Sequence, residues 1–146
     1  MDFIIGCGMI VVCTAIQCVV VSGLLRVLYG FKEKHPTHSS TIVVSAILIA
    51  VLLVLLAGNL FQAGLWSGLF LAFGEFSDLK TAYYHSLVNF TTLGYGDLVM
   101  SDEMRIYGAL EAAKGVLMLG LTTSVLFSAI SAIMRRRWTR LYEKRE

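Results

Sequence analysis

The run Thr92-Leu93-Gly94-Tyr95-Gly96-Asp97 has the residue types and spacing that could do chemistry. Two glycines stand at alternate positions between a hydroxyl and a carboxylate. An extended strand points successive carbonyls to opposite sides. Aiming them all at one axis needs alternate residues in conformations that side chains penalise, and Gly94 and Gly96 reach those cheaply. Oxygens held at one radius can replace water around a cation, and Thr92 can add its hydroxyl oxygen. The plainer alternative is a glycine-rich turn in an external loop.

Other groupings carry less. Cys7, Cys13 and Cys18 are separated by six and five residues, which is not a metal-site spacing. His35 and His38 sit in a basic loop without an acidic or thiol cluster. His85 lies just before the glycine run, where it either donates behind that run or simply packs. Glu111 and Lys114 are three apart, and on one helix such residues can meet. Charges inside a membrane helix are functional candidates by default; a structural pair behind the short helix is the favoured reading. No nucleophile, base and orienting group cluster as an enzyme needs. The chain is therefore read as a non-enzyme with no cofactor, no nucleic-acid partner and no small-molecule substrate.

The elements that must position these residues are membrane helices. The chain has 146 residues, 57% hydrophobic and 15% charged, with a mean hydropathy of +0.75. A spanning helix needs about 20 apolar residues to cross about 30 Å of hydrocarbon. Residues 3–21, 42–60 and 116–134 meet that requirement. The first stretch begins with Asp2 and no basic residue, so it reads as a retained helix rather than a signal peptide. The apolar fragment 64–73 is too short to span alone. It either prolongs the second helix or lies at the interface. Before the glycine run, Ser77 is a natural N-cap with Asp78 in the first turn. The dozen residues that follow lack Gly and Pro. A helix of that length must dip into the membrane and return, which requires protein or water around it.

Charge placement gives an orientation. Arg26, Lys32 and Lys34 flank the first connection, and Arg135, Arg136, Arg137, Arg140, Lys144 and Arg145 follow the third span. Asp2, Glu75, Asp78, Asp97, Asp102 and Glu103 lie on the other side. The positive-inside rule then places the N-terminus outside and the C-terminus in the cytoplasm of a plasma (cell inner) membrane.

The stretch Thr92-Leu93-Gly94-Tyr95-Gly96-Asp97 resembles the selectivity filter of potassium channels, with Leu93 where Val is usual. Ala109-Leu110-Glu111-Ala112 followed by Gly115 also resembles the start of the inner helix of the small two-helix ion-channel module. The resemblance covers residues 41–134. It implies an all-α membrane protein with three transmembrane helices, a re-entrant pore helix and a filter loop. The expected segments are an N-terminal helix over 1–30, a cytoplasmic basic loop over 31–40, an outer helix over 41–63 or longer, a pore helix over 78–91, the filter at 92–97, an inner helix over 102–134 and a basic tail over 135–146.

The same resemblance implies a homotetramer in the lipid bilayer that conducts K⁺ passively, with the ion held at Thr92, Leu93, Gly94 and Tyr95. Tyr95 is expected to brace the loop against its own pore helix. Some relatives have a pore-helix Glu that pairs with the filter Asp; Val88 stands there, so the partner of Asp97 is open. Gly115 and Gly120 are candidate hinges or close-packing sites. Thr122, Thr123 and Ser124 are candidates for a water-filled cavity, and the row Ser124, Ser128, Ala132 allows close helix approach. The first helix lies outside the resembling module. It is expected on the lipid-facing side of the second helix or on a neighbouring subunit. No helix has the repeated Arg of a voltage sensor, and no nucleotide-binding domain is expected after the pore. The alternatives are a non-selective cation channel, which the Tyr of Gly94-Tyr95-Gly96 argues against, and a non-conducting assembly subunit with a pore-like fold.

Overall fold

The computed structural model describes residues 2–34 and 41–143, with side chains over 3–27 and 42–131. His35, His38, Lys144, Arg145 and the side chain of Ala132 lie outside the described residues. The elements are α1 (Asp2–Lys34), α2 (Thr41–Ala72), α3 (Leu79–Phe90) and α4 (Arg105–Glu143), with no strand among the described residues. Three segments are long and apolar enough to cross a membrane: Phe3–Val27, Ile42–Ala72 and Arg105–Ser131. Their outward faces carry large apolar side chains, with Ile4 73% and Phe127 70% exposed. In water that exposure would be costly, whereas facing lipid it is neutral. The chain is an all-α integral membrane protein.

The helices run further than the apolar stretches alone. α1 continues to Lys34, because nothing before Pro36 interrupts it and only a proline strongly disfavours helix at the preceding residue. The 31 residues of Ile42–Ala72 rise about 46 Å at about 1.5 Å each, well beyond the hydrocarbon thickness. The fragment 64–73 is thus nearly all the outer end of α2 rather than a separate interfacial piece. α4 starts at Arg105, not near Asp102, since the Met104 and Arg105 N–H groups first turn back onto the Ser101 carbonyl at 3.0 and 3.1 Å. It then passes through Gly115 and Gly120 without a break.

α1 lies against both α2 and α4, not only on the outer side of α2. Gly6 brings it onto Leu110 and Tyr107 of α4, where an added Cβ would stand 2.5 Å from Leu110 Cδ1. Further along, Gln62 Nε2 donates to Gln17 Oε1 at 2.6 Å, a buried bond joining α2 to α1. Two apolar clusters hold the bundle. One collects Cys13, Trp66, Phe70, Met100, Met104 and Tyr107 around the outer end of α2. The other collects Val51, Leu55 and Val125 nearer the opposite end.

Candidate functional site

The helix before the glycine run is capped by Asp78, one residue later than the expected Ser77. Asp78 has extended backbone, φ −139° and ψ 152°, and its carboxylate accepts from the Thr81 N–H at 2.9 Å. Hydrogen bonds from Thr81 hold the Asp78 carboxyl below the usual carboxylate range. Ser77 and Asp78 are both good caps, so neighbouring residues compete for the role. α3 then lies alongside α2: the Tyr83 hydroxyl donates to the Leu60 carbonyl at 3.1 Å, and the Ser86 hydroxyl reaches the Ala63 carbonyl at 2.7 Å.

The chain enters and leaves this excursion at one place. Glu75, before α3, accepts from the Ser101 N–H and the Ser101 hydroxyl, both at 2.7 Å. Ser101 follows the glycine run, so the carboxylate ties the two ends of the loop together. α3 and residues 91–97 are therefore a re-entrant hairpin. Nothing in the residue spacing announced this Glu75–Ser101 contact.

At the end of α3 the backbone is left-handed at every second residue. Thr91 is right-handed at φ −81°, whereas Thr92, Gly94 and Gly96 have φ of 59°, 56° and 75°. The two glycines bear this without penalty. Thr92 is β-branched, and a left-handed conformation costs it on the order of 1–2 kcal/mol. Strain of this kind persists only where the surroundings impose it, and it clusters at functional sites. Here the surroundings are the last carbonyls of α3. The Thr92 N–H donates to Asn89 O at 2.9 Å, and the Leu93 and Gly94 N–H groups share Val88 O at 2.9 and 3.4 Å. These bonds tie the N–H groups of residues 92–94 back onto α3.

Asp97 has the partner that Val88 could not supply. Tyr84, one turn before Val88 on α3, donates its hydroxyl to Asp97 Oδ2 at 2.7 Å. The carboxylate beside it pushes the Tyr84 phenol above its ordinary pKa. Tyr84 and Asp97 are 13 residues apart, and only the turn between them brings them together. Residues 91–97 are all exposed in the single chain, with Leu93 at 54% and Tyr95 at 68%. Tyr95 is thus largely uncovered in the single chain.

Behind α3 the residues of α4 press close. Gly115 is buried against the Phe90 carbonyl, and an added Cβ would run into that oxygen. Its role here is close packing, while Gly120 faces open space. Glu111 and Lys114 are both fully buried, yet they form no ion pair with each other. Each turns to α3 instead. Glu111 meets the Ser86 hydroxyl, and the Lys114 ammonium lies 4.5 Å from the centre of the Phe90 ring. His85 packs rather than reaching the glycine run. Its ring lies 4.9 Å from that of Phe76 and 6.0 Å from that of Phe70, with Nε2 at 2.9 Å from the Asn89 amide nitrogen.

The three hydroxyls further along α4 do not share one environment. Thr122 is half-buried and accepts from the Asn59 amide of α2 at 3.3 Å. Thr123 and Ser124 are exposed and bond back to the Leu119 and Gly120 carbonyls of their own helix. Ser128 does the same onto Ser124. Among the described residues no group of three or more His, Cys, Asp or Glu could hold a metal ion.

Residues 38–132 match the model of a family described as an ion channel. The chain is also 33% identical over 60 residues to the A-type voltage-gated potassium channel KCND3 of Rattus norvegicus, Oryctolagus cuniculus and Homo sapiens. That alignment covers 40% of this chain and 9% of each relative, so the chain spans less than a tenth of the length of these proteins. No solved structure matches. With the family match extending over most of the sequence, from just before α2 through the whole of the third span, the chain belongs to the ion channel family.

Proposed function

We propose that this chain is the pore-forming subunit of a potassium-selective channel, conducting K⁺ passively through a homotetrameric ring of residues 92–97. The observation that carries this reading is the alternation of hand at Thr92, Gly94 and Gly96 with the N–H groups of 92–94 tied back to α3. A backbone that changes hand at each residue can turn successive carbonyls to one side, which is what coordination of a dehydrated cation requires. Thr92, Leu93, Gly94 and Tyr95 would supply the oxygens. The name of the 33%-identical relatives, a potassium channel, favours K⁺ as the ion.

One chain holds one such loop, and a ring needs several. The exposure of Leu93 and Tyr95 supports closure by further copies, since large apolar side chains at the mouth of an aqueous path call for neighbours. Cyclic symmetry is the expected solution for identical subunits. The distribution of basic residues favours an outside N-terminus and a cytoplasmic C-terminus in the plasma membrane.

The test is purified protein reconstituted into liposomes or planar bilayers, with reversal potentials measured under opposed K⁺ and Na⁺ gradients. A reversal potential set by K⁺ supports the proposal. Equal permeation of both ions would indicate a non-selective cation channel. An assembled protein without flux would indicate a non-conducting membrane subunit.

A further inference from the structure

Where α2, α3 and α4 meet, a polar cluster is closed off inside the apolar packing. Ser86, Glu111 and Lys114 are each 0% exposed. The Ser86 hydroxyl oxygen lies 2.7 Å from the Ala63 carbonyl oxygen of α2 and in hydrogen-bond contact with Glu111 Oε1 of α4. A serine hydroxyl has one proton to give, while a carbonyl and an ionised carboxylate have none. Two oxygen–oxygen contacts at hydrogen-bond distance need two protons between them. Ser86 supplies one, and among the groups in contact the other can come only from the Glu111 carboxyl. Lys114 supplies neither proton: its Nζ lies 4.5 Å from the centre of the Phe90 ring and has no hydrogen-bond partner.

We propose that Glu111 is a neutral carboxylic acid that bridges α4 to the pore helix through Ser86, and that this bridge positions the filter. Glu111 donates to Ser86, and Ser86 donates to the Ala63 carbonyl, so two hydrogen bonds in series join α4, α3 and α2. The path onward is short. Two residues after Ser86, the Val88 carbonyl accepts from the Leu93 and Gly94 N–H groups. A displacement of α3 therefore moves the backbone that carries the ion-binding oxygens. Glu111 and Ser86 touch no permeant ion; they are positioning residues. The positioning role rests on the functional reading above, whereas the proton count does not.

Two measurements test the bridge. The first compares K⁺/Na⁺ permeability ratios of wild type, Glu111→Gln, Glu111→Ala and Ser86→Ala in reconstituted membranes, with native mass measurement to restrict the comparison to assembled protein. The Gln amide can both donate and accept, so it preserves the bridge, and Ala does not. Glu111→Gln should stay within about twofold of wild type, while Glu111→Ala and Ser86→Ala should each lower the ratio roughly tenfold, the scale of one lost buried hydrogen bond. The second measurement is infrared difference spectroscopy of wild type against Glu111→Gln. A protonated-carboxyl band present in wild type and missing from the variant reads the proton directly, with or without conduction. No such band, or a Glu111→Gln variant as damaged as Glu111→Ala, would overturn the proposal. A wild type that shows the band but has no K⁺ preference would overturn the functional reading and the positioning role with it, and leave the proton count standing.

Discussion

The two faces of α3 are built in opposite ways. The face toward α2 and α4 is sealed, with Ala82 and Ser86 at 0% exposure and Phe90 at 3%. Its polar groups find partners within the same chain, on the Ala63 carbonyl and the Glu111 carboxyl. The opposite face is open. Tyr84 is 39% exposed, and the whole of 91–97 beyond it is uncovered. One chain thus completes the support of the glycine run and leaves its other side bare. In the tetrameric reading, neighbouring copies cover that surface and the pore appears only on assembly.

The sealed face should be the more sensitive to added volume. Gly115→Val forces two extra methyl groups and a Cβ onto the Phe90 carbonyl, which α4 cannot yield without moving. Overpacking of this kind costs about 1–3 kcal/mol and occasionally more. The expected outcome is loss of assembled protein in native mass measurement, the largest effect among these predictions. Gly120→Val, with open space around it, should assemble normally. If both variants assemble alike, the two faces do not differ as described.

On the open face the effect should fall on ion discrimination instead. Gly96→Ala places a Cβ on a residue at φ 75°. The strain is about 1–2 kcal/mol per residue, and each copy in the ring carries it. Selectivity should collapse or conduction stop while the tetramer still forms. Thr92→Ser keeps the hydroxyl and should be milder than Thr92→Ala, as read from reversal potentials.

A smaller effect is expected at Tyr84. Tyr84→Phe removes the bond to Asp97 and should shorten the conducting lifetime in single-channel records, with K⁺ preference retained. The pH dependence has a definite sign. Tyr84 is raised in the folded protein, so its contribution is fully present below the ordinary phenol value of 10.0 and is lost as pH rises through the higher folded value. Wild type should lose conducting lifetime only at strongly alkaline pH, and Tyr84→Phe should lack that alkaline limb.

The smallest effect is expected at α1. Gln62→Leu breaks the buried bond to Gln17, and interhelical hydrogen bonds in membranes average about 0.6 kcal/mol. A slight fall in thermal stability is expected, with selectivity unchanged.

The comparison between faces also explains what was legible in the sequence. The spans follow from long apolar runs, and α3 follows from a cap and a length too short to cross. Those are local signals. The glycine run is legible because a left-handed backbone at alternate residues favours glycine, although Thr92 takes the same conformation with no glycine to announce it. Contacts across the hairpin are not local. Tyr84 offered no hint that it would reach Asp97, because the turn between them sets their distance. Glu111 and Lys114 illustrate the opposite failure. Their spacing on one helix favours a pair, but the contacts each makes are to α3. Ser86 and the Phe90 ring win that competition, and only packing decides it. Gln17 and Gln62 had a readable signal, since an amide inside a spanning segment seeks a partner, yet the sequence does not say which amide meets which.

The central claim is that residues 92–97 form a ring that prefers K⁺. Its most direct test is the reversal potential of the reconstituted wild-type protein with K⁺ on one side and Na⁺ on the other. A potential close to the K⁺ equilibrium value, shifted toward zero in Gly96→Ala, is the predicted result. A wild-type potential near zero with sustained current, or an unchanged potential in Gly96→Ala, would contradict it.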